Sequence, residues 1–220
     1  MPTLIILTCV VLLPLLLSLW TSFTPFKLTK PDTLYRFVGF RNYERLIGDL
    51  DFWIAFGRTV LFLAIALNLE LVFGLGIALL INKITYGQRT LRTLMMFPMM
   101  FSPILVGFQW KYIFNDNIGL MNNFLREFGV IQPIPWLVDG ILANVSIMAA
   151  EIWSSTSVFA ILLLAGLLGI PKDPIEAAKV DGCNSWQVFK NITLPFLMPF
   201  VFIAMTIRSL DVARAYDIVQ

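Results

Sequence analysis

Ile170-Pro171-Lys172-Asp173-Pro174-Ile175-Glu176-Ala177-Ala178-Lys179-Val180-Asp181-Gly182-Cys183-Asn184-Ser185-Trp186-Gln187-Val188-Phe189-Lys190-Asn191-Ile192-Thr193-Leu194-Pro195 is a polar island between two apolar runs, and its reading decides the fold. Asp173 can serve as N-cap, with Pro174 at the first helical position and Glu176 at the third, a capping box with Asp in place of Ser or Thr. The spacing predicts a short helix over 173–182, stopped by Gly182 in a left-handed conformation. Asn184 or Ser185 can cap a second short helix through Asn191, which Pro195 ends or redirects. Two short helices around a glycine make a protruding knob. Ala177 and Ala178 leave room for a partner backbone, and Ile175, Val180, Trp186 and Phe189 supply apolar contacts that a free loop does not need. The competing reading is an interfacial helix lying on lipid headgroups. Lys172, Lys179 and Lys190 are offset by Asp173, Glu176 and Asp181, and so weak a net charge disfavours it.

The rest of the chain reads as membrane. Hydrophobic residues make up 58% of the 220 and charged residues only 14%, where roughly 25% charged is usual for a soluble domain. Mean hydropathy is +0.81. A water-soluble fold of this size would lack polar surface to cover itself. The net charge of +2 gives no reason to expect nucleic-acid binding, and there is no histidine. Cys9 falls in an apolar run and Cys183 in a polar link, so neither a disulfide nor a thiolate metal site is expected.

Crossing hydrocarbon takes about 20 residues per helix, which gives five expected spans: 3–22, 57–81, 92–112, 143–168 and 194–215. The first has no basic segment before it and no small-x-small site after it, where the chain reads Ser18-Leu19-Trp20-Thr21-Ser22-Phe23. It therefore reads as a retained helix and not a signal peptide. The missing basic flank suggests that the natural amino terminus is lost or mis-assigned. Pro14, Pro98, Pro103, Pro195 and Pro199 fall inside spans, where neighbouring groups can satisfy the freed carbonyls. Basic residues do not orient the chain. Lys83, Arg89, Arg92, Lys172, Lys179 and Lys190 on one side are matched almost evenly by Lys27, Lys30, Arg36, Arg41 and Arg45 on the other.

The fixed positions Ile170-Pro171, Glu176 to Gly182, Trp186, Phe189, Ile192-Thr193-Leu194-Pro195 and Pro199 resemble the EAA motif of binding-protein-dependent ABC importer permeases. Phe97-Pro98, Ser102-Pro103, Val106, Trp110, Phe114, Gly119-Leu120, Asn122-Asn123, Trp136-Leu137, Trp153 and Tyr216-Asp217-Ile218-Val219 are similar to the first permease subunit of carbohydrate importers, the maltose and glycerol-3-phosphate type. Cys183 stands where that family often has Ala. The resemblance implies an all-α polytopic membrane protein with the type I ABC importer transmembrane fold. It makes 169–193 a cytoplasmic coupling segment that docks on an ABC ATPase dimer through Glu176, Ala177, Ala178, Asp181, Gly182, Trp186 and Phe189. It further implies a second homologous permease, an extracytoplasmic solute-binding protein and a small-molecule substrate of the sugar type. No cofactor is expected on this chain, and ATP and Mg belong to the ATPase. The setting is a bacterial or archaeal cytoplasmic membrane, with the amino terminus, 82–91 and 169–193 inside and 23–56, 113–142 and the carboxyl end outside. Members of that family continue through a Gly-rich segment and a sixth span, so a chain ending at Gln220 is expected to be incomplete at its carboxyl end, with a poorly enclosed fifth span.

Glu70, Glu151 and Arg208 are ionisable groups inside expected spans. Such groups face protein or a watery cavity. Each could touch substrate or the partner subunit, or simply bond across helices. Asn68 is a candidate partner for Glu70, Ser155 for Glu151 and Asp211 for Arg208, and nothing in the spacing brings the two glutamates together. Met95, Met96, Phe97, Met99, Met100 and Phe101 read as helix packing more readily than as a sugar path, and Trp110, Tyr112 and Trp136 suit an interfacial belt. An ion-coupled secondary carrier is the alternative function, but it would want inverted repeats around broken helices, and no repeat pairs the glutamates. An intramembrane enzyme would need a catalytic cluster that the sequence does not offer.

Overall fold

The structure is a computed structural model that describes residues 2–130 and 132–212. It is helical throughout, and the chain divides into two compact units, one ending at Arg58 and the other beginning at Thr59.

In the first unit, helix α1 (Pro2–Ser22) accommodates Pro14, and a 3₁₀ turn over Pro31–Tyr35 precedes the short α2 (Arg41–Ile47). The end of α1 is tied off by side chains. Asn42 Nδ2 donates to the carbonyls of Ser22 and Thr24, both at 2.8 Å, and Tyr43 hydroxyl donates to Ser22 Oγ at 2.7 Å. Asn42 thus supplies donors to carbonyls at a helix end that lack an intrahelical partner. Phe23 sits among Phe37, Phe40 and Tyr43.

Helix α3 (Leu50–Lys83) runs on into the second unit, and α4 (Gln88–Met96), α5 (Pro103–Ile113), α6 (Leu120–Glu127), α7 (Gly140–Leu168), α8 (Lys172–Val180), α9 (Ser185–Val188) and α10 (Leu194–Val212) come after it. The core is built by α3, α7 and α10: Leu67, Ala78 and Ile81 meet Phe159, Leu163 and Leu167, and Leu197 and Ala204. Small residues let the backbones close up, as membrane helix interfaces require. A Cβ on Gly74 would lie 2.5 Å from Phe159 Cβ and 3.0 Å from Ala160 N. One on Gly166 would lie 2.8 Å from the Phe200 ring. Large apolar side chains such as Val72, Phe73, Leu80 and Phe202 are left exposed, as a lipid-facing surface would have them.

Among the described residues, α3, α7 and a continuous helical run Ser185–Val212 are long and apolar enough to cross a membrane. The expected span 92–112 is not a single rod. Gln88–Met100 and Pro103–Ile113 meet at 89°, so they form a broken span or a re-entrant turn. The reason is local: Pro103 excludes helical geometry from the residue before it, and Ser102 is extended at φ −61°, ψ 139°. The Met and aromatic residues from Met95 to Phe101 therefore straddle a break and do not form one helical stripe. Other helices contain the expected spans with shifted ends: α3 starts before 57 and α7 before 143. Residues 213–215 of the last expected span, and the Tyr216 to Val219 resemblance, lie outside the described residues.

Two local expectations are corrected. Asp173 is not the N-cap: Pro171 takes that place with extended geometry and no side-chain cap, which leaves Asp173 inside the first turn. There its carboxylate still favours the positive end of the helix. Pro195 does not end the second short helix either. A π-turn over Phe189–Thr193 joins α9 to α10, with Leu194 N–H reaching Phe189 O. The wider turn carries the helix past a proline that can supply no N–H.

The close approach at Gly74 makes a direct forecast. Gly74→Val should lower the melting temperature of the detergent-extracted chain, by an overpacking cost of about 1–3 kcal/mol. Gly76→Val, at a position with nothing within 4 Å of the added carbon, should change it little. Equal melting of the two variants would show that α3 and α7 do not meet at Gly74.

Candidate functional site

The polar island folds into a closed knob. Helix α8 ends at Gly182, whose φ is +82°. Cys183 N–H reaches Ala178 O at 2.9 Å and Gly182 N–H reaches Lys179 O at 3.1 Å. This pair of bonds is the Schellman closure, which leaves few carbonyls of the last turn unsatisfied. Two residues past Gly182, Asn184 caps α9: its Oδ1 accepts from Gln187 N–H at 2.9 Å, and its own N–H donates to Gln187 Oε1 at 2.8 Å. Of the two residues expected to cap this helix, Asn184 and Ser185, the reciprocal bond selects Asn184. With Gly182 closed from one side and Asn184 from the other, the turn between the helices has little freedom.

The knob presents a mixed surface. Glu176, Ala177, Asp181 and Gly182 are exposed, and Val180 and Trp186 are 88% and 67% exposed. Trp186 stacks on Phe189 with ring centroids 5.6 Å apart. Ala178 is buried at the base. Of the two alanines only Ala177 is open to a partner, while Ala178 lets α8 sit close to its own scaffold. Helix α7 ends just before the knob and α10 runs continuously out of it, so the knob is continuous with one core helix and joined to the other by the short link Gly169–Ile170–Pro171.

The second polar feature lies within those helices. Arg208 of α10 is 7% exposed, Glu70 of α3 is fully buried and Glu151 of α7 is 4% exposed. Arg208 Nε lies 3.3 Å from Glu70 Oε2, and Nη2 lies 2.5 Å from Glu151 Oε1. Nη1 reaches Asp211 Oδ2 at 3.4 Å, and Ser155 Oγ donates to Glu151 Oε1 at 3.2 Å. Residues 138 and 57 positions apart thus meet on one guanidinium. The expected pairs Glu151–Ser155 and Arg208–Asp211 are present. Asn68 instead donates to its own helix at Ala64 O, and Glu70 is held by Arg208. Spacing within any one helix does not reveal this meeting. The signal that could have found it is that one buried cation needs carboxylates, and the neighbouring spans each carry one.

A third polar centre shapes the link between α5 and α7. Asn122, 3% exposed, donates from Nδ2 to Asp116 O and Ile134 O and accepts at Oδ1 from Ile134 N–H and from Trp136 Nε1 at 2.9 Å. Its amide is fully used, and it ties Asp116, Ile134 and Trp136 to α6. Trp136, expected in an interfacial belt, is here a donor to that clip. Gly119 is needed beside it because a Cβ there would collide with the carbonyls of Asn115 and Ile113. Among the described residues no cluster of three or more His, Cys, Asp or Glu is placed to hold a metal.

A profile of the family described as "binding-protein-dependent transport system inner membrane component" matches residues 70–220. The chain belongs to this family. A probable ABC transporter permease protein of Sinorhizobium fredii is 34% identical over 99% of this chain and 70% of its own length. The trehalose/maltose transport system permease protein of Thermococcus litoralis is 35% identical over 100% of this chain and 73% of its own. The crystal structure of a bacterial ABC transporter involved in the import of the acidic polysaccharide alginate superposes with a TM-score of 0.78 at 23% identity, covering 94% of this chain and 69% of that one. The fold is that of an ABC importer transmembrane domain, and the chain is a permease subunit of an ABC-type importer. The ion-coupled carrier is thereby set aside.

The buried cluster separates two effects of charge. Arg208→Leu leaves two buried carboxylates without their cation, a loss of about 3–5 kcal/mol. Replacing Glu70, Glu151 and Arg208 together with Leu removes the mismatch, so the triple variant should melt higher than Arg208→Leu alone. A triple variant that melts lower, or an Arg208→Leu chain as stable as the wild type, would contradict the pairing.

Proposed function

We propose that this permease subunit forms part of the path for a carbohydrate and that its 169–193 knob docks on the ATPase that powers the importer. The docking reading rests on one observation above the others: two short helices around a turn closed from both sides leave Glu176, Ala177, Val180 and Trp186 exposed, with apolar area that no part of the chain's own core covers. A second homologous permease completes the path, and an extracytoplasmic solute-binding protein delivers the solute. The knob and the amino terminus face the cytoplasm. The carbohydrate reading is supported by relatives such as the trehalose/maltose permease of Thermococcus litoralis and the trehalose transport system permease of Mycobacterium tuberculosis, 30% identical over 98% of this chain and 68% of its own length.

The chemistry on this chain is mechanical. Hydrolysis of ATP, with Mg, belongs to the ATPase. When that partner moves, the knob moves as a unit, because its turn is fixed by the Gly182 closure and the Asn184 cap. The displacement passes into α10 through the π-turn and into α7 through Gly169 and Ile170, and the path between the permeases opens to one side or the other. Glu70 and Glu151 serve as cross-helix ties on Arg208 in this reading, since a carboxylate engaged by a buried guanidinium has little left to offer a passing solute.

Gly182 is where the reading can be tested. No neighbour lies within 4 Å of an added Cβ, so a side chain there is limited only by the positive φ. A β-branched residue at such an angle costs about 1–2 kcal/mol, while Asn tolerates it. In membranes holding the complete importer, Gly182→Val should lose co-purification with the ATPase and ATP-driven uptake of a labelled disaccharide, at unchanged membrane levels. Gly182→Asn should keep both. Wild-type association and uptake in Gly182→Val would overturn the docking assignment.

A further inference from the structure

Behind the exposed face of the knob lies a cleft of about 490 Å³, bounded by the ends of α3 and α7, by α8 and by the start of the run into α10. Its wall is divided by chemistry. Ile170, Ile175 and Phe189 make an apolar side, and Lys83, Lys179 and Ser185 contribute cations and a hydroxyl. No carboxylate lines it. Of the knob's acidic residues Asp173 stands on the far side of α8 from Ile175 and Lys179, and Glu176, three residues before Lys179, flanks their face without lining the cleft. Among the described residues, the ion pairs are those of Arg208, and neither Lys83 nor Lys179 has one. Lys83 of α3 thus meets Lys179 of the knob at a wall that carries two ammonium groups and no carboxylate, beside an apolar floor.

The position of the cleft narrows what could neutralise them. Lys83 is the last residue of the membrane-crossing α3, and Leu167 lies one residue from the end of α7. The cleft thus sits where two spans leave the hydrocarbon. A ligand there can keep acyl chains in the bilayer and an anionic headgroup in water. We propose that this cleft binds the phosphate headgroup of an anionic phospholipid, held by Lys83 and Lys179 with the apolar wall against its glycerol and upper acyl region. Basic pockets between spans at a membrane surface suit such headgroups. Occupancy would brace α8 against the ends of α3 and α7 and so set how stiffly the knob is mounted. Trp186 borders both the cleft and the exposed face, but the lipid site is tested on this chain alone and so without reference to which protein docks there.

Cys183 lines the same cleft and is half-buried, so it reports occupancy. The full chain carrying Cys9→Ala is placed in nanodiscs of phosphatidylcholine alone or with phosphatidylglycerol, and the rate of Cys183 modification by a neutral maleimide is measured. Phosphatidylglycerol should slow modification several-fold. Lys83→Gln and Lys179→Gln should each raise the lipid fraction needed for half-protection by about fivefold, and the double variant should lose protection. Lys172→Gln with Lys190→Gln, which lie outside the cleft wall, should keep it. Equal rates in the two bilayers, or protection that survives in the Lys83→Gln/Lys179→Gln chain, would overturn the proposal. Protection by inorganic phosphate in pure phosphatidylcholine would also overturn it, by assigning the cleft to a soluble anion.

Discussion

One guanidinium holds the core of this permease together. Arg208 cannot sit in a membrane interior unpaired, since each unpartnered charge there is costly, and its partners come from two other helices. Glu70 fixes α3 against α10, and Glu151 fixes α7 against α10. Apolar packing between these helices is forgiving of rotation, because lipid is as good a neighbour as leucine. A three-way charge contact is not, since a turn of any helix about its axis would strand a charge. The close approaches at Gly74 and Gly166 are then packing around a fixed arrangement.

That arrangement bears on how the knob could act. Helix α7 leads into it and the helical run to Val212 leads out of it, and both are tied to Arg208 in the membrane. A push on the knob is thus a push on a braced pair of helices. The knob itself is stiffened by short-range bonds only: the Schellman closure at Gly182, the reciprocal cap at Asn184 and the Trp186–Phe189 stack. Stiff at the tip and braced at the base is what a lever requires, and the proposed docking uses both properties. At the other end of α5 and α7, the Asn122 clip ties the link to α6 by the same means, a buried side chain whose every polar atom is used.

Much of this architecture is legible in the sequence, for local reasons. The apolar runs locate the helices, Gly182 marks the left-handed stop, and Asn184 is one of two residues able to cap α9. Misreadings arise where a proline's effect depends on its neighbours. At Pro103 the extended residue before it turns an expected span into two helices at 89°. At Pro195 a π-turn upstream absorbs the same kind of defect and the helix continues. At Asp173 two prolines compete to start the helix, and Pro171 takes the cap position. The Glu70–Arg208–Glu151 contact and the meeting of Lys83 with Lys179 at the cleft behind the knob are hidden for another reason. They depend on which faces of distant helices meet, and a charge count along the chain averages them away.

Docking of the 169–193 knob on the ATPase can be tested by asking what touches Ala177 in the working assembly. A photoreactive benzoylphenylalanine at this exposed position is irradiated in membranes that hold the complete importer, and the adduct is identified by mass. Docking predicts an adduct with the ATPase subunit that weakens when the same residue is placed at Gly76, within α3. An adduct of Ala177 with lipid or with the solute-binding protein, and none with the ATPase, would contradict it.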